Sequence, residues 1–264
     1  MPRSLALLFI AFNTLSAAPP PPAGWTEGYV LSSGIRLHYW RTGGASKTPL
    51  VMAHGSSDDG LCWTNLAKEL TGQYDVIMFD ARGHGLSDPP KPGDPADAQV
   101  EDLAGLIREL KLSRPVVMGH SMGSSSAAWF GAKYPDVARA IVLEDPALVR
   151  RPGVGPAPST APPEKRRADT LARNNQSEAE LVEGCMRGSP KWGLTECEIW
   201  APSKRRHHPD TALVNNAGRP AIKEIFSKIT VPVLILKADA QGELRRENKT
   251  QTLEALTTFL QELK

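Results

Sequence analysis

The stretch Gly119-His120-Ser121-Met122-Gly123 constrains this chain more than any other. An apolar run, Arg114-Pro-Val-Val-Met118, leads into it, and Ser124-Ser-Ser-Ala-Ala-Trp-Phe-Gly-Ala132 follows. That order spells a buried strand, a sharp turn and a helix, with a serine at the apex. A side chain on so tight a turn is strained, and flanking glycines let the two backbones pass closely. Ser121 is therefore expected to be a nucleophile presented at the carboxyl end of a strand.

The remainder of the sequence supplies a fold for such a turn. Gly28–Ser32 and Ile35–Trp40 flank Ser33-Gly34 and read as a β-hairpin, with His38 a strand residue rather than a ligand. Pro49–Ala53, Tyr74–Phe79, Ala140–Leu143 and Val231–Leu236 are short continuous apolar runs, as in strands buried on both faces. Between them lie helical spacings at Trp63–Leu70, Val100–Leu110, Ile222–Ile229 and Thr252–Leu263. Strand and helix alternate, so the expected class is α/β, a doubly wound and mostly parallel sheet. From about Pro146 to Pro220 the pattern becomes Pro-rich and then charged and helical. This segment is expected to form a lid insertion, with Leu171, Leu181, Met186 and Trp192 as its apolar underside. Its basic runs, Lys165-Arg-Arg167 and Lys204-Arg-Arg206, are read as solvated surface in preference to a lure for an anionic substrate.

Composition narrows the function. The chain has 264 residues, 41% hydrophobic, with 31 basic and 29 acidic side chains and a net charge of +2. This suits one domain, residues 28–264, carrying the insertion. The balanced charge leaves no footprint for nucleic acid. Residues 1–18 look like a short secretory signal: Arg3, then apolar Leu5–Phe12, then small Ser16-Ala17-Ala18. The apolar run is too short to span a bilayer. Export is the expectation and a cytoplasmic location the alternative, because the Pro-rich linker 19–27 begins with Pro19-Pro20-Pro21-Pro22, a poor context for cleavage. Cys62, Cys185 and Cys197 show no metal-like spacing. Buried free thiols are preferred over a Cys185–Cys197 bridge, and no metal or cofactor is expected.

Three further segments join the turn: His54-Gly55-Ser56-Ser57 after one strand, Asp80-Ala-Arg-Gly-His-Gly-Leu-Ser-Asp88 after the next, and Leu143-Glu-Asp-Pro146. With them the chain resembles the α/β-hydrolase fold superfamily, serine-nucleophile branch, from about Gly28 onward. The resemblance implies that Gly119, His120 and Gly123 support Ser121. It implies an oxyanion hole from the backbone N–H groups of Ser56 and Met122, with His54 and Gly55 shaping the turn. It gives Asp80 and Arg82 the task of pinning their loop, and places His84 there as a structural residue. The triad acid is Asp239 or Asp145, both at carboxyl ends of strands, with Asp239 in the commoner position.

The base is missing. A triad needs an imidazole after the acid, yet the histidines are His38, His54, His84, His120, His207 and His208. A helix, a strand and two loops need roughly 20–25 residues, more than Ala240–Lys249 provides. A last strand and its His-bearing loop therefore read as absent between about Gly242 and Leu244. His207 and His208 are the weak candidates to replace the base, and His120 is expected to pack. The implied activity is hydrolysis of a carboxylic ester, lactone or related acyl small molecule, with full activity in doubt. Epoxide hydrolases of this fold carry an aspartate at the turn, so Ser121 argues against them. The alternatives are a non-catalytic small-molecule-binding protein or a cofactor-free perhydrolase. Substrate identity and oligomeric state are not encoded legibly.

Overall fold

The computed structural model describes residues 22–44, 46–146, 161–214, 218–237 and 244–263. The signal-like segment, Asp239 and the proposed junction near Gly242 lie outside these residues.

A seven-stranded sheet runs through the middle. Strands β1 (Thr26–Ser32) and β2 (Ile35–Arg41) form the antiparallel hairpin, and β2 pairs antiparallel with β4 (Tyr74–Phe79). β3 (Thr48–Ala53), β5 (Val116–His120), β6 (Ala140–Glu144) and β7 (Val233–Leu236) continue in parallel, giving the order β1-β2-β4-β3-β5-β6-β7. The apolar runs of β3, β4, β5 and β6 are continuous because these strands are covered on both sides; β7, expected to be buried likewise, is instead partly open, with Ile235 exposed. Val51, Ala53 and Val117 pack into one core, while Leu50, Met52, Val116 and Met118 pack into the other. This is the two-residue alternation of a strand, with apolar side chains on each face.

Helices cover the two faces. α1 (Thr64–Leu70) and α9 (Lys249–Glu262) lie on one side, where Leu66, Leu70, Leu256 and Leu260 join Trp40 and Trp63. α2 (Ala98–Glu109), α3 (Met122–Lys133) and α7 (Ile222–Ser227) lie on the other. In α2, Val100, Leu103, Leu106 and Ile107 fall on one stripe at helical spacing and all are buried. The parallel order β3-β5-β6 with crossover helices directs every carboxyl end to the same edge of the sheet, where α/β folds place their sites.

Over that edge lie α4 (Pro163–Asn174), α5 (Glu178–Gly188) and α6 (Gly193–Arg205), followed by a 3-10 turn, Pro209–Leu213. A full capping box at Ser177 and Glu180 starts α5. Two expectations for the apolar and cysteine residues of this segment fail. Leu171 is exposed rather than part of an apolar underside, although Leu181 is buried as expected. Cys185 and Cys197 form a disulfide, their Cα atoms 5.7 Å apart, instead of remaining free thiols. The physical reason is that α5 and α6 pack against each other and bring the two residues into register, which twelve intervening residues alone do not reveal. Cys62 is buried and unbridged.

Candidate active site

Ser121 closes β5 and caps α3 with φ 49° and ψ −106°, a left-handed backbone that non-glycine residues rarely adopt. The strain is held from several directions. The Ser121 N–H donates to the Glu144 carbonyl of β6 at 3.0 Å, and the Ser124 hydroxyl lies 2.7 Å from that carbonyl and 2.5 Å from that of Gly119. A Cβ on Gly119 would run into the Gly123 carbonyl, and one on Gly123 would run into that of Ala53. Both glycines are thus required by close backbone approach.

The loop after β3 faces this turn. His54 spends both ring nitrogens on shape: Nδ1 donates to the Gly55 carbonyl at 2.8 Å and Nε2 accepts the Ala81 N–H at 2.9 Å. Ser56 and Met122 line the same cavity as Ser121. The Met122 N–H opens α3, where no intrahelical acceptor reaches it. The neighbouring loop is pinned as expected. The Asp80 carboxylate accepts from the Gly60 and Leu86 N–H groups at 2.7 and 2.9 Å and meets His38 Nδ1 at 2.9 Å. Arg82 forks onto Asp102 at 2.6 and 2.7 Å and also pairs with Asp94.

The cavity has a volume of about 630 Å³ and is walled by the Ser121 turn between β5 and α3 (the elbow), α2 and the segment over the sheet edge. His84 and His207 stand in its wall, rings stacked at 4.6 Å, with the His54 ring 5.0 Å from that of His84. His207 accepts from Arg173 Nη2 at Nδ1, 2.9 Å, so its proton resides on Nε2, which donates to Thr211 Oγ1 at 2.6 Å. Its pKa is pushed down to about 3, first by burial and then by Arg173. With both nitrogens engaged, His207 has no lone pair for a serine proton. His208 is half-exposed, and its Nδ1 accepts the Asp210 N–H at 3.2 Å. His84 donates from Nδ1 to the Arg82 carbonyl at 3.0 Å; its Nε2 lone pair has no partner but is sealed from solvent. Burial, then His54 and His207, hold His84 far below the ordinary imidazole pKa. His120 packs against Gly55, its pKa pushed to about 3 by burial and then by Arg245. Among the described residues, no imidazole is hydrogen-bonded to the Ser121 hydroxyl.

Of the two acid candidates, Asp145 sits at the carboxyl end of β6 with φ 43°, and its N–H donates to the Leu236 carbonyl at 2.8 Å. Its neighbour Glu144 is fully buried and takes both the Arg245 N–H (3.0 Å) and Arg245 Nη1 (2.8 Å). Arg245 and Arg246 belong to the short helix α8 (Leu244–Glu247). Arg246 donates to Glu196 at 2.8 Å and to Asp58 at 3.3 Å. Lys204 completes this buried network, with Nζ 2.5 Å from Asp58 and 2.8 Å from the Ser57 carbonyl. Burial raises the Asp58 pKa, but Lys204, Arg246 and Arg245 outweigh it and hold the carboxylate well below its usual range. The run Lys204-Arg-Arg206 is therefore not a solvated surface: Lys204 is buried and Arg206 pairs with Asp59 at 2.6 Å. Sequence spacing carries no sign of this, since the partners lie about 146 residues away.

Residues 48–180 match the family described as alpha/beta hydrolase fold. This chain belongs to the alpha/beta hydrolase fold family. Similar proteins include 2-(acetamidomethylene)succinate hydrolase of Mesorhizobium japonicum, 36% identical over 96 residues, or 36% of this chain and 34% of that protein. Epoxide hydrolase 1 of Caenorhabditis elegans is 30% identical over 134 residues, or 49% of this chain and 32% of that protein. The chain thus spans about a third of the length of these curated relatives. The crystal structure of E-2-(acetamidomethylene)succinate hydrolase superposes with a TM-score of 0.71 at 22% identity, covering 90% of this chain and 99% of that one. The relatives are hydrolases that share this α/β fold.

Among the described residues of this α/β-hydrolase, no helix is long and apolar enough to cross a membrane. No group of three or more His, Cys, Asp or Glu side chains is arranged there to hold a metal ion.

Proposed function

We propose that this α/β-hydrolase acts on a carboxylic ester, lactone or related acyl small molecule through Ser121. The observation that carries the reading is the strained backbone of Ser121 at the mouth of α3, opening into a cavity shared with Ser56 and Met122. In this reading Ser121 Oγ attacks the acyl carbon and the carbonyl oxygen becomes an oxyanion between the Ser56 and Met122 N–H groups. The leaving group then departs with a proton, and water releases the acyl group from the serine. Preorganised N–H donors are a large contribution to such acyl transfer. Ser121 stands where the family resemblance places an aspartate in epoxide hydrolases, which disfavours that chemistry here.

Asp239 or Asp145 is the proposed acid. The engaged state of His54 and His207 and the sealed Nε2 of His84 leave proton removal from Ser121 without a partner among the described residues. Turnover is accordingly expected near the level supplied by oxyanion stabilisation and binding alone, on the order of 10³–10⁴ over water. The same observation favours a second reading, a small-molecule-binding protein on a hydrolase scaffold. Export, supported by the Cys185–Cys197 bridge, is the proposed location.

A fluorophosphonate probe separates the readings. Covalent labelling of the wild type that disappears in Ser121→Ala supports the serine hydrolase. Absence of labelling and of p-nitrophenyl ester turnover in folded protein leaves the binding protein.

A further inference from the structure

The charge of the cavity wall is one-sided. Three arginines line it, Arg82, Arg166 and Arg219, and not one of the described lining residues is a carboxylate. Arg82 is neutralised behind the wall by Asp94 and Asp102. Arg166 is not: Nη1 donates to the Ala161 carbonyl at 2.6 Å and Nη2 to that of Ala212 at 2.7 Å, so neutral backbone holds a full charge in place. Those bonds use two of its five N–H donors and fix the plane of the guanidinium. Arg219 stands at the rim, exposed as a residue, with no carboxylate partner among the described residues. Behind His207, Arg173 donates to the neutral imidazole rather than to an acid, while the Asp58 carboxylate acts on its charge. Asp210, on the 3-10 turn, is occupied by Arg167 on the outer surface.

A half-buried cation such as Arg166, held by backbone carbonyls with no counter-ion among the described residues, is favoured by a ligand that supplies the opposite charge. A guanidinium held in plane with free donors matches the two oxygens of a carboxylate. The apolar share of the wall, Val100, Met122 and Trp129, suits a short carbon chain. We propose that the cavity contains a carboxylate subsite formed by Arg166 and Arg219, so that its ligand is a short acyl compound bearing a second, anionic carboxyl group. The placement of the scissile acyl group at Ser121 rests on the serine-hydrolase reading; the anion subsite does not. The sequence run Lys165-Arg-Arg167 is thereby divided, with Lys165 and Arg167 exposed and Arg166 turned to the cavity.

The test is a binding titration of the full chain, followed by tryptophan fluorescence at constant ionic strength, with succinate against its neutral isostere succinamide. Succinate is expected to bind at least tenfold more tightly, and to slow fluorophosphonate labelling of Ser121. Arg166→Gln should remove most of that preference. Arg219→Gln, at an exposed position with no structural bond to lose, should reduce it several-fold even if Arg166→Gln fails to fold. Equal affinity for the two ligands in the wild type overturns the subsite, as does succinate binding that leaves labelling unchanged. A chain that discriminates succinate from succinamide but never labels keeps the subsite and loses the nucleophile.

Discussion

At the scale of single residues, the elbow depends on the absence of two methyl groups. Gly123 lies against the backbone of Ala53 and His54, so any Cβ there must push α3 away from β3. Overpacking at a rigid backbone contact costs about 1–3 kcal/mol, and both sides here are main chain. Gly123→Ala is therefore expected to lower stability by about 3 kcal/mol, read from a denaturant midpoint, and to remove any Ser121 labelling. A variant that keeps wild-type stability and labelling would show that the contact yields. This residue was legible from sequence because a glycine pattern reports backbone geometry directly. The roles of His207 and Arg166 were not legible. Each sits in a charged run that looks solvated, and only the packing of the segment over the sheet edge turns one ring and one guanidinium inward.

At the scale of elements, the loop after β3, proposed to supply the Ser56 N–H to an oxyanion, is braced by a helix that joins the fold late in the sequence. Lys204 on α6 reaches the Ser57 carbonyl and Asp58, two residues beyond Ser56, while Ser57 itself adopts φ 62°. Removing one member of a buried ionic network leaves its partners uncompensated, at a cost of about 3–5 kcal/mol. Lys204→Met should destabilise by that order and slow fluorophosphonate labelling. Lys165→Met, at an exposed position on α4, should stay within about 0.5 kcal/mol of the wild type. Equal behaviour of the two variants would dismiss the brace. Strands and helices of the sheet were readable element by element, because continuous apolar runs and 3.6-residue stripes are local signals. The α5–α6 disulfide and the α6–loop contacts are long-range products of packing, so spacing pointed to free thiols and a wet surface instead.

At the scale of the whole molecule, the sheet edge concentrates neutral imidazoles, and this sets how the fold responds to acid. His120 and His207 titrate near 3, and His84 lies well below its ordinary value of 6.5. An unfolded chain would protonate all three near 6.5. Between about pH 6.5 and 3 the unfolded state thus binds more protons, so stability is complete above 6.5 and drains away as pH falls. Asp102 acts in the opposite sense: burial lifts its pKa to about 6 against the pull of Arg82, so acid below that value relieves a cost. Each fully depressed imidazole contributes a slope of about 1.4 kcal/mol per pH unit. Asp59, also raised by burial, acts in the same sense as Asp102, and three imidazoles against these two carboxylates still give a net loss on acidification. Urea midpoints are accordingly expected to fall steeply from pH 7 to pH 5, and His207→Gln, which keeps a polar side chain beside Thr211, should flatten the slope by about one group's share. Midpoints that hold level or rise across that interval would mean that the imidazoles of this edge are charged in the folded protein. In that case His207 could not accept the Arg173 guanidinium, and the cavity wall would be organised differently.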